Sequence, residues 1–133
     1  MRDDWAEYAA TAVCDGGIDR NPGGRMYWSV VIVDSNGDVV DTYRQEPHYA
    51  EGRRTNNVAE YRAAIQAARM LREYEGPTRI LTDSLVVAGA VRKRRTRTAH
   101  LQPLLDELLT ALDWRIVDVH WCGRALQVEL LGH

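Results

Sequence analysis

Thr55-Asn56-Asn57-Val58-Ala59-Glu60-Tyr61 opens the segment on which the reading of this chain turns. Behind it Ala59, Ala63, Ala64, Ala67 and Ala68, with Ile65, Met70 and Leu71, recur at helical spacing as far as about Tyr74. Alanine is the strongest helix former, and apolar residues spaced three and four apart line one face of a helix. Side chains at positions 55–57 can accept from the unpaired amides of a first turn, so the helix is expected to start there. Glu60 then falls in that first turn, and two readings of it compete. Asn57-Val58-Ala59-Glu60 has the pattern of a capping box, in which the glutamate bonds back to the cap amide. Alternatively, Glu60 turns toward a neighbouring sheet and meets other carboxylates there.

The residues on either side supply such a sheet. Tyr8 to Cys14 is a short β-capable run that stops at Asp15-Gly16-Gly17, and Asn21-Pro22-Gly23-Gly24 continues the turn. Met26 to Asp34 is the strongest strand pattern in the chain, and Asn36-Gly37 after it is a hairpin signal leading into a strand from Val39 to Arg44. Beyond the long helix, Gly76-Pro77 punctuates and Thr78 to Thr82 makes a short strand ending at Asp83. Ser84 to Arg92 reads as a helix and Arg94 to Ala99 as a basic loop. Leu101 to Leu112 is an amphipathic helix with Pro103 in its first turn. Trp114 to Trp121 is the last strand and Arg124 to Leu131 a final helix. The order βββ-α-β-α-α-β-α implies one α/β domain, residues 1–133. Its mixed sheet would have three antiparallel strands, then parallel ones, with helices on both faces.

Composition agrees with a single globular domain: 133 residues, 45% hydrophobic and 27% charged. A formal net charge of −2 excludes a generally basic nucleic-acid coat, although Arg92-Lys93-Arg94-Arg95-Thr96-Arg97 is a dense local cluster. No apolar run has the length of a bilayer span, and the first residues lack a secretory apolar core, so a cytoplasmic protein without membrane partners is expected. Cys14 and Cys122 make neither a disulfide framework nor a zinc quartet and read as small buried residues.

Ligands of such sheets gather at the carboxyl ends of the parallel strands. Asp15 ends the first strand, Asp83 ends the fourth, and Glu60 on the intervening helix can lie beside them. Converging carboxylates repel, and a hard cation compensates them; all-oxygen ligation favours Mg²⁺ or Mn²⁺ over zinc. Two such ions about 3.5–4 Å apart are suited to displacement at a phosphodiester. Each carboxylate also has a plainer role: Asp15 as a turn residue, Asp83 as the cap of the helix at Ser84.

Cys14-Asp15-Gly16-Gly17 with Asn21-Pro22-Gly23, then Thr55 to Tyr61, then Leu81-Thr82-Asp83-Ser84 resemble type 1 ribonuclease H over nearly the whole chain. Each motif is weak alone; three in register are strong. The resemblance implies a five-stranded ribonuclease H-like sheet, with Asp15, Glu60 and Asp83 as catalytic metal-binding carboxylates. It also implies cleavage of the RNA strand of an RNA·DNA hybrid to 5′-phosphate and 3′-hydroxyl ends, with two Mg²⁺ (or Mn²⁺) as cofactors. It carries hybrid contacts onto Asn56 and Asn57 and a phosphate contact onto Thr55, with Asn21 and Gly16 as weaker candidates. A hybrid's wide minor groove displays the 2′-hydroxyls that such side chains can reach. One of the two asparagines is also expected to cap the helix. Leu85 stands where many relatives have a polar residue, removing one expected base-edge contact.

The last helix departs from the family pattern. Counting from Arg124, which resembles an arginine that aids product departure, the family's asparagine falls at Gln127 and its fourth carboxylate at Leu131. Glu129 is the nearest carboxylate and is taken as the fourth catalytic and metal-binding residue; His133 is the other candidate. Without either, the second ion is held more weakly, and turnover is slow or favours Mn²⁺. The arginine cluster has two readings, a grip on DNA-strand phosphates and a solvated helix end. Trp28, Trp114 and Trp121 are expected in the core, and His48, His100 and His120 show no metal-ligand spacing. The expectation is a monomeric hybrid-specific endoribonuclease. Its first rival is a hybrid-binding module of the same fold weakened by the altered last helix, and its second an exonuclease or transposase relative.

Overall fold

The computed structural model describes residues 2–113 and 117–131. Five strands, β1 (Ala10–Ile18), β2 (Met26–Asp34), β3 (Val39–His48), β4 (Thr78–Thr82) and β5 (Val117–Trp121), form one sheet in the order β3-β2-β1-β4-β5. The β1–β2 and β2–β3 pairs are antiparallel; β1–β4 and β4–β5 are parallel. The hairpin between β2 and β3 turns at Asn36-Gly37, where Asp34 Oδ1 accepts from the amides of Asn36 and Asp38 at 2.9 and 3.0 Å. Gly37 there has φ +86°, a conformation that favours glycine. Trp114, expected in the last strand, lies outside the described residues.

β1 runs further than expected. The pair Gly16-Gly17 reads as a turn, yet β2 keeps pairing as far as Ile18↔Met26. β4 stops earlier, at Thr82 opposite Cys14. Asp15 therefore projects from inside a strand, one residue past the last β4 partner, and is not a turn residue. The glycines serve close approach: a Cβ on Gly16 would collide with the Ala59 carbonyl, and one on Gly17 with the Tyr27 ring.

Four α-helices cover the sheet: α1 (Asn56–Leu71), α2 (Leu85–Lys93), α3 (Gln102–Asp113) and α4 (Arg124–Leu131). Alternation along the strands sorts the core into two layers. Ala10, Ala12, Cys14, Val30, Ile32 and Ile80 pack against α1, α2 and α3. On that face Ala59, Ala63, Ala64 and Ala67 are buried, and their small side chains let α1 lie close to the strands. Val13, Val31, Val33 and Leu81 point to the opposite face and meet Cys122, Leu126 and Leu131 of the α4 segment, with Trp5 beside them. α1 ends at Leu71, three residues before the expected Tyr74.

Arg79 is buried in β4, although a charged residue there carries no apolar signal. Its guanidinium donates twice to Asp4 at 2.8 and 2.6 Å and once to Thr11 Oγ1 at 3.0 Å. It also faces the Tyr8 and Trp5 rings at 4.4 and 5.2 Å. This ties the N-terminal 3-10 helix, Arg2–Glu7, to the sheet.

Candidate active site

Asp15, Glu60 and Asp83 converge where β1 and β4 end. Each offers a carboxylate oxygen within 4.8 Å of the others, with Asp15 and Glu60 buried and Asp83 half-buried. Local chemistry explains why all three face one point. Thr55 is the cap of α1, its Oγ1 accepting from Val58 N–H at 3.2 Å. Neither Asn56 nor Asn57 caps, which corrects that expectation. Counted from Thr55, Glu60 lies beyond the first turn, so no capping box forms. Its Oε1 instead accepts from the Gly16 amide at 2.6 Å, across 44 positions of sequence. At the other strand, Ser84 and not Asp83 caps α2, accepting from Val87 N–H at 3.1 Å.

The electrostatics follow from this packing. Burial first, and then the charge of Asp15, pushes the Glu60 carboxyl up to about 9; the Gly16 amide opposes the shift and the Asp83 charge adds to it. A proton held this far above the ordinary carboxylate range marks a place where positive charge is wanted. Three oxygen donors converging on a hard cation would replace that proton, so the residues fit Mg²⁺ or Mn²⁺. Both cysteines are buried free thiols beside this group. Burial drives Cys14 well up, and it drives Cys122 up to about 11, helped by the neighbouring carboxylates.

Among the described residues, the group of converging carboxylates takes none from α4. Glu129 is exposed and stands outside the group of carboxylates that share the 4.8 Å neighbourhood among the described residues. Leu131, where the resemblance led a fourth carboxylate to be expected, is buried with Val13, Val31 and Val33. The two-residue offset decides this: Leu131 faces the sheet, and a residue two positions away on a helix faces elsewhere. His133 and the Arg124 side chain lie outside the described residues.

The expected substrate residues gather at one end of α1. Asn56 is exposed and Asn57 half-buried, and the Asn56 amide donates to Asn21 Oδ1 at 3.3 Å. Gly16 is buried with its amide taken by Glu60, so its place is in the scaffold of the site. Arg54 was not singled out by sequence. Its guanidinium donates to the Gly23, Gly24 and Ala50 carbonyls at 3.0–3.1 Å and lies 5.2 Å from the Tyr49 ring. It fixes the Asn21 loop to the start of α1. The available signal was an Asn-Pro-Gly-Gly loop, rich in carbonyls that need donors.

Trp121 corrects another expectation. It is 51% exposed rather than in the core, with its Nε1–H donating to the Asp83 carbonyl at 3.2 Å. Leu85, 70% exposed, lines one groove with Trp121. Beyond it Lys93, Arg95 and Arg97 line a groove of about 350 Å³ with Leu85 and Val86. Arg92 and Lys93 occupy the last turn of α2, where cations suit the helix dipole, and Arg94, Arg95 and Arg97 are exposed beyond it.

No protein-family model matches the chain, and no curated protein sequence matches it. Solved structures do. RNase H1 from the halophilic archaeon Halobacterium salinarum NRC-1 superposes with a TM-score of 0.80 at 23% identity, over 92% of each chain. The fold is that of type 1 ribonuclease H. The N-terminal RNase H domain of a Mycobacterium tuberculosis protein gives 0.77 at 25% identity, covering 91% of this chain and 86% of that one. LC11-RNase H1, in complex with an RNA/DNA hybrid, gives 0.79 at 21% identity, covering 92% and 91%. The mixed sheet, the strand order and the helices on both faces are those of the ribonuclease H-like fold.

Proposed function

We propose that this chain is a metal-dependent endoribonuclease that hydrolyses the RNA strand of RNA·DNA hybrids to 5′-phosphate and 3′-hydroxyl ends. The observation that carries the reading is the convergence of Asp15, Glu60 and Asp83 within 4.8 Å at the carboxyl ends of two parallel strands. Fold alone does not fix activity, so the weight rests on this site. Asp15, Glu60 and Asp83 would hold Mg²⁺ or Mn²⁺. When bound, the metal supplies a nucleophilic water at neutral pH and charge neutralisation at the phosphate.

The chain's own residues account for the rest. Gly16 holds Glu60 in place through its amide, and Ser84 leaves the Asp83 carboxylate to the centre by taking the cap. Asn56, Asn57 and Asn21 present side chains that can read minor-groove hydroxyls, on a loop that Arg54 fastens. Thr55 completes that edge as a phosphate neighbour while capping α1. Arg95 and Arg97 face solvent where DNA-strand phosphates would run, and Arg124 is the residue for product departure.

A second reading, a hybrid-binding module with weak activity, is favoured by one observation. α4 brings Leu131 to the core and Glu129 to the surface, so the described carboxylates at the centre are three. Labelling each strand in turn separates the readings. Fragments from RNA in the hybrid, and none from single-stranded or double-stranded RNA, establish the enzyme. Salt-sensitive hybrid binding without fragments in either metal establishes the module.

A further inference from the structure

α4 brings a different group to the centre. Gln127 is fully buried, and its Nε2–H donates to the Cys14 carbonyl at 2.7 Å, one residue before Asp15. The other end of the amide, Oε1, is buried and accepts no hydrogen bond from any described residue. Buried acceptors normally have a partner, and an orphan among them points to a group that binds there. The Cys14 bond sets the amide against β1 at the position that precedes Asp15, so the amide lies between α4 and the strand that carries that carboxylate.

We propose that Gln127 gives the metal centre its α4 ligand as a neutral amide oxygen, bound to the cation or to one of its waters. This rests on the reading of Asp15, Glu60 and Asp83 as cation ligands. Amide carbonyls are ordinary ligands of hard cations. The Cys14 bond fixes which end of the amide faces the centre, because exchanging the two ends would set Oε1 against a carbonyl oxygen. A neutral donor leaves the centre with three carboxylate charges, so its cation is held less tightly than four would hold it. It also relieves the apo protein of a further buried repulsion.

The test is Mn²⁺ titration of the protein without hybrid, followed by the electron paramagnetic resonance of free Mn²⁺ and by the metal-induced rise in Tm. Gln127→Leu weakens Mn²⁺ binding about tenfold, the usual loss for a group supporting a metal site. Gln127→Met, which keeps the shape of the side chain and removes the amide oxygen, weakens it to a similar extent. Glu129→Gln binds as wild type, and Asp83→Asn loses most of its affinity. Wild-type affinity in both Gln127 variants, with Asp83→Asn impaired, overturns this inference and leaves the metal centre standing. No Mn²⁺ binding by wild type removes both. If Gln127→Leu does not fold, Gln127→Met decides alone: wild-type affinity overturns the proposal.

Discussion

Glu60→Gln should stabilise the metal-free protein, although Glu60 belongs to the proposed centre. Glutamine keeps an oxygen for the Gly16 amide, which Glu60 Oε1 now meets at 2.6 Å, and removes the charge. With an effective dielectric constant of about 20, ionising Glu60 beside one charge 4.8 Å away costs about 3.5 kcal/mol, a cost the folded wild type avoids below about pH 9 only by holding a proton whose uptake costs more as pH rises. Asp83 is half-buried, so solvent screens part of this, and about 2 kcal/mol is the expected gain at pH 8. For a chain of this size that is a rise of about 6 °C in Tm. The pH dependence has a fixed sign. The Glu60 carboxyl is raised from 4.5 to about 9, so between those values the folded state holds more protons than the unfolded state. Stability of the metal-free wild type therefore falls as pH rises from about 4.5 toward 9, and the variant lacks that slope. Thermal unfolding in a chelator, from pH 5 to 9, reads both effects. Adding Mn²⁺ should raise the wild-type Tm more at high pH and the variant's much less. A variant no more stable than wild type at pH 8, or a gap that does not change with pH, refutes the reasoning.

Three further outcomes follow from the same geometry. Asp4→Ala removes the bidentate partner of buried Arg79 and should cost about 3 kcal/mol in urea unfolding, whereas a surface-pair loss of under 1 kcal/mol would show the Arg79 cluster to be dispensable. Gly16→Ala drives a methyl into the Ala59 carbonyl and should lower stability by about 1–3 kcal/mol while displacing Glu60. Its Mn²⁺ affinity, measured on the folded fraction, should fall; unchanged affinity would contradict the placement of Glu60. Replacing Arg95 and Arg97 by Ala should weaken hybrid binding and flatten its log–log salt dependence by up to about two units, with unchanged binding showing a solvated face only.

The topology was legible because its signals are local and redundant. Alternation marks β2, Asn36-Gly37 marks the hairpin, and the alanine spacing marks α1. The three carboxylates were legible because each lies near the end of a regular element, and element order restricts which ends can meet. What could not be read depended on partners distant in sequence. The length of β1 is set by Trp28, Tyr27 and Met26 of β2, which pair with Gly16, Gly17 and Ile18 although glycines normally end strands. Glu60 bonds Gly16 across 44 positions, which local capping rules do not anticipate. Trp121 is exposed because it occupies the sheet's edge strand, where aromatic content alone does not assign burial. Arg54 and Arg79 act through backbone carbonyls and an N-terminal aspartate respectively, and neither leaves a periodic trace. Glu129 was chosen by proximity in sequence, and helix phase placed it on the outer face while Leu131 and Gln127 took the inner one.

The central claim is that Asp15, Glu60 and Asp83 act together in metal-dependent hydrolysis of the RNA strand of a hybrid. The most direct measurement is cleavage of a labelled RNA·DNA hybrid in Mg²⁺ and in Mn²⁺ by wild type beside Asp83→Asn, with single-stranded and double-stranded RNA as controls. The account predicts metal-dependent cleavage of the hybrid alone, abolished in the variant while its Tm in chelator stays at or above wild type. Cleavage that survives Asp83→Asn, or that needs no metal, would contradict it.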